Sequence, residues 1–135
     1  MASQRDEGVF LVDDSQDVRE RLKELLAVQR GARVVGESGT AASAVHDIPR
    51  AQPDFVVLDY ELPDGTGLDV LHEVHDLVPR TRFIVMTNHA STALRTAAAA
   101  AGAWYLLDKS YEFARLVDLI VHRPSTVDPA SHEET

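Results

Sequence analysis

Five polar residues at the ends of short apolar runs are the places where this sequence could do chemistry: the pair Asp13-Asp14, then Asp59, Thr87 and Lys109. Three carboxylates brought together repel one another, and a hard, oxygen-seeking dication is the usual relief. Mg²⁺ suits the set better than zinc, with Mn²⁺ as a substitute, because the chain has no Cys. Mg²⁺ also binds through a few carboxylates while keeping waters that phosphate oxygens can replace. Lys109 adds a movable positive charge and Thr87 a hydroxyl donor, both suited to an anion. A metal plus a lysine fits phosphoryl transfer, where positioning and charge neutralisation matter more than an elaborate base and a carboxylate can be the nucleophile. Among the acids, Asp59 is the expected acceptor.

These residues need elements that bring them to one edge. Short β-branched or aliphatic runs, Val9–Asp13, Arg33–Glu37, Phe55–Asp59, Arg82–Thr87 and Trp104–Asp108, alternate with stretches of helical period. Val18, Leu22, Leu25 and Leu26 share one helical face, with Asp14 or Ser15 as its cap. Ala41, Ala44, Val45 and Ile48 repeat the pattern before Pro49 and Pro53, which discourage further helix. Val70, Leu71, Val74, Leu77 and Val78 repeat it before Pro79. Ser91 to Ala101 is mostly alanine with Leu94, so its apolar stripe is shallow and the segment could move. The last stripe, Phe113, Leu116, Val117, Ile120 and Val121, is the cleanest. Short connections between five such units fit the right-handed crossover rule as a doubly wound parallel sheet, whose ligands bind beyond the carboxyl ends of the strands.

The bulk numbers agree with a single α/β domain. The chain has 135 residues, 44% hydrophobic and 26% charged, ordinary for a globular fold and sized for one core. A net charge of −9 opposes the phosphate backbone of nucleic acid, so no nucleic-acid partner is expected. Residues 1–7 are polar and lack a signal-peptide centre, and no apolar run approaches the ~20 residues of a membrane span. A cytoplasmic protein with no membrane partner is the expectation. Residues 1–7 are expected to be flexible and 123–135, with Pro124 and Pro129, to be a disordered tail.

At this point the sequence resembles the receiver domain of two-component response regulators across roughly residues 8–122. The motifs are FLVDDS at 10–15, VVLDYELPDGTGLDVL at 56–71, IVMT at 84–87 and GAWYLLDKS at 102–110. The resemblance implies a flavodoxin-like fold with strand order 2-1-3-4-5, and a stand-alone receiver similar to the chemotaxis type. It makes Asp59 the phosphoacceptor, Asp13 and Asp14 metal-binding acids, and the backbone carbonyl of Glu61 a further ligand. Thr87 and Lys109 would contact the phosphoryl group. The implied donor is a phosphohistidine on a sensor kinase or a phosphotransfer domain, and the only implied catalysis is self-phosphorylation and autodephosphorylation. The implied output surface is the fourth helix, fifth strand and fifth helix, read by another protein or by a second copy in a homodimer.

The sequence departs from the family at several positions. Leu106 stands where an aromatic residue usually reports phosphorylation. Alternation along the strand would give Trp104 the same face, making it a candidate for that role and, if exposed, an anchor for partners. Ser110 replaces the usual proline after the lysine, so either a trans bond or a strained cis bond, at ~2.5–4 kcal/mol, is expected. Asn88 replaces a small residue, and Glu61 and His89 occupy positions that tune phosphoryl lifetime in the family.

Plainer readings compete for single residues. Asp13-Asp14 alone could be a helix cap, Thr87 a strand end and Lys109 a strand exit; their joint order favours a site. Gly65 and Gly67 simply shape a turn. His72 and His75 are three residues apart on a helix, which suits a solvated face better than a zinc motif. Three rival functions remain: a pseudo-receiver signalling without phosphate, a flavin binder, and a phosphohydrolase with an aspartyl-phosphate intermediate. The flavin binder would need a phosphate loop where this chain has acids. The hydrolase would want an Asp at position 61.

Overall fold

The computed structural model describes residues 6–110 and 113–122, so the expected tail lies outside the described residues. The apolar runs pair as one parallel sheet of β1 (Glu7–Val12), β2 (Ala32–Ser38), β3 (Phe55–Asp59), β4 (Arg82–Thr87) and β5 (Tyr105–Asp108). The order across the sheet is β2-β1-β3-β4-β5, a doubly wound sheet as the sequence pattern predicts, in the order that the resemblance implies. Between and after the strands run α1 (Gln16–Ala27), α2 (Ala41–Ala51), α3 (Gly67–Val74), α4 (Thr92–Ala101) and α5 (Phe113–His122). A short antiparallel hairpin pairs Glu61 with Thr66 and Leu62 with Gly65 between β3 and α3. None of the described helices is long and apolar enough to cross a membrane.

Both faces of the sheet are covered, which is why its central strands read as unbroken apolar runs. Phe10, Val12, Val56, Leu58, Phe83, Val85 and Leu106 point to the side of α2, α3 and α4. Val9, Leu11, Phe55, Val57, Ile84, Met86 and Leu107 point to the side of α1 and α5. Each fully buried aliphatic or aromatic side chain contributes about 1.5–3 kcal/mol relative to exposure. That burial fixes the register, because a slip of one residue would turn each strand's apolar set over.

Several local expectations need correction. β1 begins at Glu7, inside the segment expected to be flexible, because the Glu7 N–H donates to the Gly31 carbonyl at 2.8 Å. α2 runs through Pro49 to Ala51; a proline in the last turn removes only its own N–H, and the Gln52 N–H still closes the turn on Ile48 at 3.0 Å. Leu77 is 57% exposed, because α3 ends at Val74 and a single 3₁₀ turn rotates Leu77 off the buried stripe. Trp104 is buried on the opposite side of the sheet from Leu106. It precedes the regular strand, so alternation does not govern it, and it packs with Tyr105 in edge-to-face contact at 5.0 Å. At 7% exposure it offers no surface anchor.

α4 keeps the shallow stripe that its alanines imply: Ala98 is its one buried residue. Ser91 caps its first turn by accepting from the Leu94 N–H at 3.1 Å, and Gly102 ends it in a left-handed conformation, φ +106°. Arg95 reaches from this helix to the Leu106 carbonyl at 3.0 Å.

Candidate functional site

The carboxyl ends of β1, β3 and β4 and the residue after β5 deliver the polar set to one edge. Asp13 follows β1, and its N–H continues the ladder to the Ser38 carbonyl at 3.1 Å. Its Oδ1 then accepts from the Ser15 N–H at 2.9 Å, while the Ser15 hydroxyl caps α1 by accepting from Val18. The turn that starts α1 therefore also aims the Asp13 carboxylate. Ser15 is the cap, which leaves Asp14 exposed and free of that task.

Asp59 closes β3 with its carboxylate buried, and the Glu61 N–H donates to its Oδ1 at 3.2 Å. The hairpin beyond it is tightly drawn in. The Gly67 N–H donates to the Tyr60 carbonyl at 2.7 Å, and a Cβ on Gly67 would stand 2.5 Å from the Asp59 carbonyl oxygen. Asp64 ties the same hairpin to α2 by accepting from the N–H groups of Ala41 and Ala42 at 2.7 and 3.0 Å. Those bonds hold its carboxyl below the usual range. In the sequence Asp64 sits in a Pro-Asp-Gly turn, which gives no sign of this anchoring role.

One acidic oxygen from each of Asp13, Asp14 and Asp59 lies within 4.8 Å of the others, and among the described residues these three form the one such group of acids, His or Cys. Lys109 Nζ donates to Asp13 Oδ2 at 2.9 Å and lies 3.4 Å from Asp59 Oδ2. One ammonium against three carboxylates leaves negative charge to be balanced, and the donors are all oxygen, so the set fits a hard dication such as Mg²⁺. Burial drives the Asp59 carboxyl up, and the Asp13 charge adds to it. Lys109 and the Glu61 N–H oppose them, and the result is a pKa of about 6. Burial pulls the Lys109 ammonium down, but the bonds and charges of Asp13 and Asp59 overcome it and leave its pKa raised.

Thr87 ends β4 at 1% exposure, and its hydroxyl oxygen accepts from the His89 N–H at 3.1 Å. The Lys109 N–H donates to the Thr87 carbonyl at 2.7 Å, linking the two residues through the backbone. Asn88, His89 and Glu61 are exposed at the rim. The Lys109–Ser110 bond is trans, which resolves the alternative left by the missing proline. Leu106 is fully buried under α4 and its neighbours, whereas Trp104 lies beside Phe55 and Arg82, at the amino ends of β3 and β4. Trp104 is thus at the wrong end of the sheet to act on Thr87 directly. His72 and His75 lie outside the acid group, and the His75 ring packs near Phe83 and Gly102.

Residues 9–121 match the family model of the response regulator receiver domain. The chain belongs to this receiver family. It is 39% identical over 112 residues to the DNA-binding transcriptional activator DevR/DosR of Mycobacterium tuberculosis, covering 81% of this chain and 52% of that protein. It is 29% identical over 112 residues to the chemotaxis protein CheY of Thermotoga maritima, covering 83% of this chain and 92% of CheY. A crystal structure of a LuxR-family two-component response regulator from an Aurantimonas species superposes with a TM-score of 0.80 at 31% identity. That match covers 85% of this chain and 82% of the other. The receiver fold thus spans about half the length of DevR/DosR and nearly all of CheY.

Proposed function

We propose that this receiver accepts a phosphoryl group on Asp59 from a phosphohistidine of a sensor histidine kinase or a histidine phosphotransfer protein. The observation that carries the reading is the buried Asp59 carboxylate beside Lys109, within one acidic group with Asp13 and Asp14. With a pKa of about 6, Asp59 is mostly ionised at neutral pH and available as a nucleophile. Its oxygen attacks phosphorus as the phosphorus–nitrogen bond to the donor imidazole breaks, and the imidazole nitrogen leaves with the bond's electron pair. Autodephosphorylation is the attack of water on the same phosphorus, releasing inorganic phosphate and the free carboxylate.

Asp13, Asp14, Asp59 and the Glu61 backbone carbonyl would hold Mg²⁺, with Mn²⁺ as a substitute. When bound, it neutralises charge on the phosphoryl oxygens. Lys109 contributes a mobile ammonium already within reach of the acceptor. Thr87 can turn its O–H toward a phosphoryl oxygen while its oxygen keeps the His89 bond. Glu61, Asn88 and His89, exposed at the rim, are placed to tune how long the acyl phosphate survives.

The phosphoryl group adds about −1.5 to −2 charge, enough to draw Thr87 and the loop after it into a second arrangement. The output is then a changed surface on α4, β5 and α5, read in the cytoplasm by a downstream protein or a second copy of the chain. Direct reading of nucleic acid by this unit is opposed by its net charge of −9. The test is transfer of phosphate in the presence of Mg²⁺ from a candidate kinase. The wild type should be labelled and Asp59→Ala should not.

A further inference from the structure

Beside the acid pair, a second set of charges links α1, β2 and the loop after β1. The Arg19 side chain, 16% exposed, uses both arms of its guanidinium. Nε donates to the Glu37 carboxylate at 2.7 Å, and Nη1 donates to the Asp13 backbone carbonyl at 2.6 Å. Glu37 is held in turn by Lys23 at 2.7 Å, and Lys23 also meets Glu20 at 3.0 Å. Gly39 closes the third side: a Cβ there would lie 3.3 Å from Arg19 Nη1 and 3.8 Å from the Asp13 carbonyl oxygen.

We propose that Arg19 is a positioning residue for the acid pair: its fork, steadied by Glu37, fixes the Asp13 backbone and so sets how the Asp13 and Asp14 carboxylates approach Asp59. This rests on the reading of those acids as cation ligands. Asp13 is where β1 ends and the chain turns into α1, so its peptide plane is not fixed by a sheet partner on both sides. The carbonyl that Arg19 holds belongs to the peptide joining Asp13 to Asp14. A rotation of that plane would swing the two carboxylates apart.

The network is also balanced in charge, with Arg19 and Lys23 against Glu20 and Glu37. Loss of Arg19 altogether would change both the charge and the geometry beside the acids, so only an exchange that keeps the charge separates the two. Lysine in its place keeps the charge but loses the planar fork that reaches two acceptors at once. The exchange Arg19→Lys therefore separates positioning from electrostatics. Groups that orient metal ligands are worth about 10–100-fold in affinity in other metal sites.

The experiment is calorimetric titration of the metal-free full chain with MgCl₂ at neutral pH, with urea midpoints measured on the same samples. Arg19→Lys is expected to bind Mg²⁺ about 10-fold more weakly than wild type, and Glu37→Gln about 3-fold more weakly. In metal-free Arg19→Lys, the amide resonances of Asp13 and Asp14 should shift. A purely stabilising ion pair would lower the urea midpoint while leaving Mg²⁺ affinity and those resonances unchanged, and that result overturns the inference. Equal Mg²⁺ affinity for wild type and Glu37→Gln would also count against it, and this variant keeps Arg19 should the lysine variant fail to fold. A wild-type chain that takes up no Mg²⁺ overturns the reading of the acids as ligands, and this inference with it. A wild type that binds, beside variants that bind equally, overturns the inference alone.

Discussion

At the carboxyl end of the sheet, Asp59 is met by Lys109 at 3.4 Å, by the Glu61 N–H at 3.2 Å and by a glycine whose backbone leaves no room for a side chain. α4 begins five residues beyond Thr87, buries only Ala98, and bonds to β5 through the Arg95 side chain. The two regions are joined by the stretch 88–91. One is held by close contacts around the proposed acceptor. The other has little buried area opposing displacement. A switch requires both, since chemistry suffers from misplacement while a readout must change shape on a small input.

Four measurements test this contrast. The largest effect is expected at Lys109: replacement by Ala should slow phosphoryl transfer to Asp59 by about 10²–10³-fold, as removal of a charge-stabilising group does elsewhere. Arg95→Ala should leave that rate within about twofold. Rates of acyl-phosphate formation for both variants decide the point, and equal losses would erase the contrast.

The next effect concerns the cost of ionising Asp59. Asp59 binds its proton more tightly folded than unfolded, so its contribution to stability falls as pH rises from about 4 to about 6 and is level above. Asp59→Asn should therefore stabilise the metal-free chain at pH 7 by on the order of 1–3 kcal/mol, with the gap closing toward pH 4. Urea unfolding of both proteins across that range measures it. A gap independent of pH would mean that the fold does not oppose ionisation of Asp59.

Gly67→Ala should cost about 1–3 kcal/mol, because its Cβ would meet the Asp59 carbonyl at 2.5 Å and push the hairpin away. The smallest effect belongs to α4, where Arg95→Ala should cost about 1 kcal/mol and speed amide exchange in α4 more than in α3. Unchanged exchange in α4 would show that the Arg95 bond does not hold the helix.

Much of this was legible in the sequence for physical reasons. Strands buried on both faces must be apolar throughout, so the runs ending at Asp13, Asp59 and Thr87 declare both the sheet and the edge where the site forms. Tertiary contacts were not legible. Trp104 and Leu106 are two residues apart, yet they face opposite sides because regular pleating starts only at Tyr105. Pro49 is a helix breaker by rule, but at the end of α2 its missing N–H removes a single bond. Asp64 acts on backbone N–H groups more than twenty residues away, and Arg19 folds back on the Asp13 carbonyl across the turn into α1; no periodicity records either bond.

Asp59 as the acceptor can be read out chemically. The direct measurement is peptide mass spectrometry of the chain after incubation with Mg²⁺ and a small acyl-phosphate donor, beside Asp59→Asn treated identically. One phosphoryl group mapped to Asp59 in the wild type, and none in the variant, is the predicted result. A wild type that acquires no acyl phosphate, or an Asp59→Asn variant that acquires as much, would rule Asp59 out as the acceptor.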